Sequence, residues 1–299
     1  MCHVRCIHAL VQDKDGGCSG LHALHMGSFM YGLKKTEVTC ICDNVYVITD
    51  RAGCCVNLVT GKEKALVFDT GSGTDDIHGL VRGITGLPLV VINSHGHFDH
   101  IGGNGLFDTV YMHPDDFVVL ESYTAELLGQ WRRELVPGQA GLCQPFEAGP
   151  WHGQWDNMKA LDFDTFNLGG LECRIIPLMG HSKGSIGIWI PKLRLLLSGD
   201  ALTPVMCLIF QNHTSVETQY NTLQCVKDLD FDHYLTSHHN QCFPRQTIDR
   251  LLRCIENSRK GKWHPYQYPY PPYAKGKLYL DSMEGEPVAL ICEADKGHC

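Results

Sequence analysis

Five times along this chain an apolar run of strand length stops abruptly at a side chain able to bind a metal ion or a proton. Leu66-Val67-Phe68 runs into Asp69, and Leu89-Val90-Val91-Ile92 into Ser94-His95. Arg174-Ile175-Ile176 leads through Pro177 to Gly180-His181, Leu195-Leu196-Leu197 to Asp200, and Tyr234-Leu235 to His238. Unbroken apolar runs read as buried strands, and the polar groups of such folds collect beyond one end of the sheet. One such run would constrain little, but five demand sheets whose strand ends converge on a site. Shorter β-type runs come first: Val38-Thr39-Cys40-Ile41, Val45-Tyr46-Val47-Ile48 and Cys55-Val56-Asn57-Leu58-Val59. Each is bounded by Asp, Asn or Gly, as in a meander.

Helical periodicity lies between and after these strands. Thr214-x-x-Glu217 has the form of a capping box, with Val216, Tyr220 and Leu223 at helical spacing behind it. Ile248, Leu251, Leu252 and Ile255 repeat as i, i+3, i+4, i+7, the stripe of an amphipathic helix. The Pro/Tyr-rich stretch from His264 to Tyr273 excludes regular helix and central strand. Lys277-Leu278-Tyr279-Leu280 and Val288-Ala289-Leu290-Ile291-Cys292 then read as a final hairpin across Glu284-Gly285-Glu286. Two similar series of strands and helices, each with a strand ending in Asp (Asp69, Asp200), predict two β-sheets packed face to face with helices outside, one domain over residues 37–299. Residues 1–36 are rich in Gly, His and Cys and show no period of 2 or 3.6. They are expected to form a poorly ordered extension, with Met26 or Met30 as alternative natural starts.

Composition narrows the function. At 43% apolar and 19% charged residues the chain has ordinary globular character. Its net charge of −8, with no Lys/Arg run, argues against a nucleic-acid partner. No apolar stretch approaches the roughly 18 residues of a membrane span, and the N-terminal stretch lacks the apolar core of a signal peptide. The expectation is a cytoplasmic protein acting on a small-molecule substrate, with no nucleic acid and no membrane; oligomeric state is left open. Fifteen cysteines, odd in number, scattered and without a Cys-x-x-Cys pair, read as reduced, mostly buried thiols.

The chemistry concentrates in Ser94-His95-Gly96-His97-Phe98-Asp99-His100, three imidazoles and a carboxylate within six residues. Nitrogen and oxygen donors of this kind suit borderline metals such as zinc. In extended backbone His95 and His97 point to one side, while Asp99 and His100 turn toward a neighbouring position as a helix begins. Gly96, Gly102 and Gly103 let the backbone pass close to the ions.

His95-x-His97-x-Asp99-His100 resembles the signature of the metallo-β-lactamase-fold superfamily. Ala65-Leu66-Val67-Phe68-Asp69-Thr70-Gly71 is similar to its strand ending in Asp-Thr-Gly, and Gly180-His181-Ser182-Lys183-Gly184-Ser185 to its Gly-His-Thr-x-Gly-Ser segment. Ser198-Gly199-Asp200 and Ser237-His238-His239 fall where its bridging aspartate and last histidine are expected. The resemblance runs in order over about residues 37–299. It implies an α/β (α+β) fold, a four-layer αββα sandwich of the metallo-β-lactamase type, with two metal ions at one edge. Carried over, His95, His97 and His181 would hold the first ion, Asp99, His100 and His238 the second, and Asp200 would bridge them. Asp69 would orient the ligand histidines from behind; its plainer reading is a turn or cap residue. His238 is preferred to His239 because it directly ends its strand.

What the resemblance implies chemically is a hydrolase using hydroxide held by a dinuclear zinc site, with iron or manganese as possible metals. Asp99 and Asp200 are its expected catalytic carboxylates. The bond cleaved would be an ester, thioester, lactone or phosphodiester. Aspartate at position 200, where many zinc β-lactamases carry Cys, argues against a dedicated lactamase, and His97 argues against an oxygen-reducing di-iron role. The alternative is a mononuclear iron oxygenase of the same fold acting on a persulfide. Trp131, Trp151, His152, Trp155, Phe210 and Tyr220 are candidate pocket walls, each equally readable as core.

Overall fold

The computed structural model describes residues 35–123, 127, 156–268, 273–282 and 286–293. Residues 1–34, which make up nearly all of the expected extension, lie outside these, as do Trp131, Trp151, His152 and Trp155.

Seven strands form the first sheet, side by side in chain order: β1 (Glu37–Cys42), β2 (Val45–Thr49), β3 (Cys55–Thr60), β4 (Ala65–Phe68), β5 (Leu89–Ile92), β6 (Val110–Met112) and β7 (Met158–Ala160). The first four make the expected antiparallel meander, whereas β4 to β7 are parallel. Parallel neighbours need crossovers. Helix α1 (Ile77–Ile84) lies in the first, N-capped by Asp76, whose side chain accepts the Gly79 N–H. Single turns α2 (Phe98–Ile101) and α3 (Phe117–Leu120) lie in the next two.

The second sheet contains β8 (Thr165–Asn167), β9 (Glu172–Pro177), β10 (Ile186–Ile190), β11 (Leu195–Leu197), β13 (His233–Leu235) and β14 (Phe243–Pro244), in the order β14-β13-β11-β10-β9-β8. Two sheets were expected, but four of the six strands after Asp200 form a third. It comprises β12 (Val205–Leu208), β15 (His264–Gln267), β16 (Lys275–Asp281) and β17 (Val288–Cys292). The anticipated antiparallel pairing of β16 with β17 is present, and β12 pairs parallel with β17 instead of rejoining β11. Pro265 lies in β15, an edge strand, where its missing N–H is tolerated.

Side-chain alternation sets the layers. Leu66 and Phe68 of β4 meet Ile188, Leu195, Leu197 and Leu235 in the core between the first two sheets, while Ala65 and Val67 meet Ile77 and Val81 of α1. Leu196 points the opposite way, toward helices α4 (Val216–Lys227) and α5 (Thr247–Ser258), where Leu223, Leu251 and Ile255 pack with Leu290 of the third sheet. The result is a helix–sheet–sheet–helix sandwich. The cap of α4 is Ser215, accepting the Thr218 N–H, not Thr214 as its capping-box form suggests; the Thr214 hydroxyl is donated to Gly180 O instead. Nine of the described cysteines are free, but Cys292 is disulfide-bonded, a departure from uniformly reduced thiols.

Candidate metal centre

The five apolar runs are β4, β5, β9, β11 and β13, and the groups beyond their C-terminal ends meet. β9 and β11 are both antiparallel to β10, and β11 is parallel to β13, so these three strands point the same way. The two sheets are joined at that edge by Ile186 N–H donating to Ser94 O (2.9 Å) and by the Ser237 hydroxyl donating to Asp69 Oδ2 (2.6 Å). Gly199, before Asp200, has φ 54°, and a Cβ there would lie 2.5 Å from Ser94 Cβ; glycine satisfies both demands.

Asp69 follows β4 with φ 67°, a left-handed backbone uncommon outside glycine. Four bonds hold it there. Its Oδ1 accepts the Ser94 N–H (2.7 Å), and its Oδ2 faces the Ser94 hydroxyl (2.9 Å), the Ser237 hydroxyl and His100 Nδ1 (3.0 Å). Because the Ser94 hydroxyl donates to Asp69, its oxygen accepts from His95 Nδ1 at 2.9 Å. Asp69 thus orients two imidazoles, one directly and one through Ser94. It leaves His95 Nε2 and His100 Nε2 buried without a hydrogen-bond partner.

The other two imidazoles are oriented by carbonyls, which can only accept. His97 therefore carries its proton on Nε2, toward Gln211 O (3.0 Å), and His181 on Nδ1, toward Cys207 O (2.8 Å). Two lone pairs, on His97 Nδ1 and His181 Nε2, then face each other at 2.9 Å. Burial lowers the proton affinity of both rings, bringing the His181 pKa to about 4. Burial, reinforced by the neighbouring imidazoles, also holds His95 well below the ordinary range. Facing lone pairs repel unless a cation lies against both, and the donor set fits a divalent ion.

The carboxyls border the other half. Asp200 Oδ2 lies 3.0 Å from His238 Nε2, 3.5 Å from His100 Nε2 and 3.6 Å from His181 Nε2, between the two sets of histidines. Asp99 Oδ2 lies 3.4 Å from His238 Nε2 and 3.5 Å from His100 Nε2. Burial opposes charge on His100 and His238, yet Asp99 and Asp200, with Asp69 beside His100, raise both above the usual imidazole value. The same pairs hold Asp99 and Asp200 low against their own burial. Donor atoms of His95, His97 and His181 lie within 4.8 Å of one another, as do those of His95, His100 and Asp200, and of Cys54, Asp99 and His238.

His239 turns elsewhere, with Nδ1 2.9 Å from Thr236 Oγ1 and its ring edge-on to Phe243. Phe210 stands over the site, 5.7 Å from the His97 ring, 6.0 Å from His181 and 4.7 Å from Tyr268. Tyr220 does not line it: its hydroxyl donates to Glu256 on α5, and Arg259 covers its ring, so it belongs to the helix layer.

Two residues escaped the sequence reading. Asp116, fully buried, accepts Gly96 N–H and the Ser182 hydroxyl on Oδ2, and Gly184 N–H and Asn212 Nδ2 on Oδ1. It joins the loops that carry His95, His97 and His181, and its signal was available: it stands just past Val110-Tyr111-Met112, a sixth apolar run. Cys54 lies beside Asp99, and nothing in the sequence distinguishes it from Cys55.

The sequence comparisons agree with this fold and donor cluster. Residues 50–238, more than half of the chain, match the metallo-beta-lactamase superfamily, and the chain belongs to that family. It is 28% identical over 161 residues to acyl-coenzyme A thioesterase MBLAC2 of Bos taurus, covering 48% of this chain and 57% of that protein. It is 26% identical over 186 residues to hydroxyacylglutathione hydrolase of Bdellovibrio bacteriovorus, covering 62% and 58%. The matches span between half and two thirds of these curated relatives' length. A metallo-beta-lactamase from Pontibacter korlensis superposes with a TM-score of 0.52 at 18% identity, over 75% of this chain and 100% of that one, a likeness of fold. No helix among the described residues is long and apolar enough to cross a membrane.

Proposed function

We propose that this chain is a hydrolase that holds two zinc ions and cleaves thioester bonds of small molecules. The facing lone pairs of His97 and His181, beside the unpartnered Nε2 atoms of His95 and His100, carry the reading. His95, His97 and His181 would hold the first ion, and Asp99, His100 and His238 the second, with Asp200 within reach of both sets. Zinc suits this set best, and iron or manganese are its chemical substitutes. The chemistry such ions would supply there is a nucleophilic hydroxide at neutral pH, by lowering the pKa of a bound water to about 7.

The protein's own groups do the remainder. Asp99, the most exposed carboxyl of the set at 23%, is placed to pass a proton between the attacking water and the leaving group. Asp69 and Ser94 hold the imidazoles in their ligating tautomers. Phe210 and Tyr268 give an apolar wall against which an acyl group can pack. The thioester preference rests on the relatives named acyl-coenzyme A thioesterase and hydroxyacylglutathione hydrolase; esters, lactones and phosphodiesters are the other bonds such a site attacks. Metal analysis combined with a substrate panel tests the proposal. Two zinc ions per chain and fastest turnover on thioesters are expected. One iron per chain, with dioxygen consumed on a persulfide, would overturn it.

A further inference from the structure

We propose that Cys54 is an additional ligand of the second ion, adding sulfur to Asp99, His100 and His238; this rests on the two-ion reading above. Cys54 is 1% exposed, and its Sγ lies 4.0 Å from Asp99 Oδ2, which is 3.4 Å from His238 Nε2. Ligand arms of about 2.0–2.3 Å put tetrahedral donors roughly 3.3–3.7 Å apart, so a shift of about half an ångström brings sulfur into range. His100 Nε2 lies 3.5 Å from the same Asp99 oxygen, on a ring that is 1% exposed and with no hydrogen-bond partner for that atom, and the donor atoms of Cys54, Asp99 and His238 lie within 4.8 Å of one another.

A buried free cysteine is ordinarily a small apolar filler. Cys55 packs in the core between the sheets, its sulfur 3.6 Å from the Thr49 hydroxyl, whereas Cys54 joins none of the apolar clusters among the described residues. Its position is also held firmly. Asp50 Oδ1 accepts the Cys54 N–H (2.8 Å), and Asp50 N–H donates to Cys54 O (2.9 Å). Asp50 Oδ2 accepts both the N–H and the hydroxyl of Ser72, at 2.8 and 2.7 Å, in the segment that follows Asp69. On the other side Cys55 N–H donates to Ser237 O (2.8 Å), the residue before His238. The β2–β3 turn is therefore anchored to two strand ends that build the centre, with the thiol between them. Binding forms a sulfur–metal bond and releases the thiol proton to solvent. Sulfur biases this position toward zinc, cobalt or cadmium over manganese or magnesium.

Metal-free protein is titrated with cobalt, bound metal is counted, and the near-ultraviolet spectrum is recorded. At two ions per chain the wild type is expected to show a sulfur-to-cobalt charge-transfer band. Cys54→Ser should lose the band and bind the second ion weaker by at least the roughly 10–100-fold that loss of even a supporting partner costs. Cys207→Ser should keep both. Two bound ions without the band in the wild type, or a band that survives in Cys54→Ser, overturn the role of Cys54 and leave the two-ion reading standing. Saturation at one ion overturns the two-ion reading itself. The wild-type spectrum decides even if a variant fails to fold.

Discussion

At the scale of single residues, the centre is governed by where each imidazole keeps its proton. Carbonyls behind His97 and His181, and Asp69 behind His95 and His100, turn four lone pairs inward. The two halves nevertheless meet acid differently. His181, with a pKa of about 4, offers a neutral nitrogen down to that pH. His100 and His238 are held above about 6.5, the ordinary imidazole value, by their carboxyls, so on the two-ion proposal each would shed a proton to ligate. Each proton so displaced costs about ten-fold in affinity per pH unit below its pKa. Lowering the pH should therefore remove the second ion first, leaving one ion per chain across an intermediate range; dialysis followed by metal counting reads this, and simultaneous loss of both would refute it. A companion prediction separates adjacent histidines. His238→Ala should lose about one ion per chain and His239→Ala none, since the His239 ring is occupied with Thr236 and Phe243; metal content of the two variants decides, and the reverse result would exchange their roles.

At the scale of elements, the centre depends on loops tied across the sandwich. Asp116 gathers four donors from three loops onto two oxygens. Asp116→Asn keeps the shape, but whichever way the amide turns, two donors lose an acceptor. Each buried donor left unsatisfied costs about 1–3 kcal/mol. Thermal unfolding should shift down by several degrees, at about 2–4 °C per kcal/mol for a chain of this class, with metal retention weakened as well. A melting curve unchanged within a degree would remove Asp116 from this role. The start of α4 teaches a related lesson. Thr214 and Ser215 are both competent caps by type, and the choice fell to Ser215 because Gly180 O claims the Thr214 hydroxyl.

At the scale of the whole molecule, stability rests on the core between the first two sheets. Leu197 is fully buried there, two residues from Gly199 and three from Asp200. Leu197→Ala should cost about 2–5 kcal/mol through lost burial and a residual cavity. Chemical unfolding of the metal-free protein measures this without contribution from bound ions, and a cost under about 1 kcal/mol would show that the two sheets repack freely around the gap.

The apolar runs and their terminal groups were legible in the sequence because buried parallel-type strands need unbroken hydrophobic stretches, and their polar ends can be met only beyond the sheet. That reasoning reached Asp69, His95, His181, Asp200 and His238 as groups at strand ends, and the order of elements in both halves of the sandwich. It did not reach the third sheet, since the pairing of β12 with β17 joins segments about eighty residues apart in sequence and leaves no local periodicity. Nor did it reach Asp116 or Cys54. Asp116 stands past a sixth apolar run that the five-run pattern did not include, and Cys54 looks, in sequence, like any other cysteine; the hydrogen bonds and approaches around both are made by distant loops. What the sequence determined by itself is which strands end in donors. Only the tertiary structure decided which lone pairs point inward, because tautomer and orientation are imposed by carbonyls and carboxyls that arrive from elsewhere in the chain.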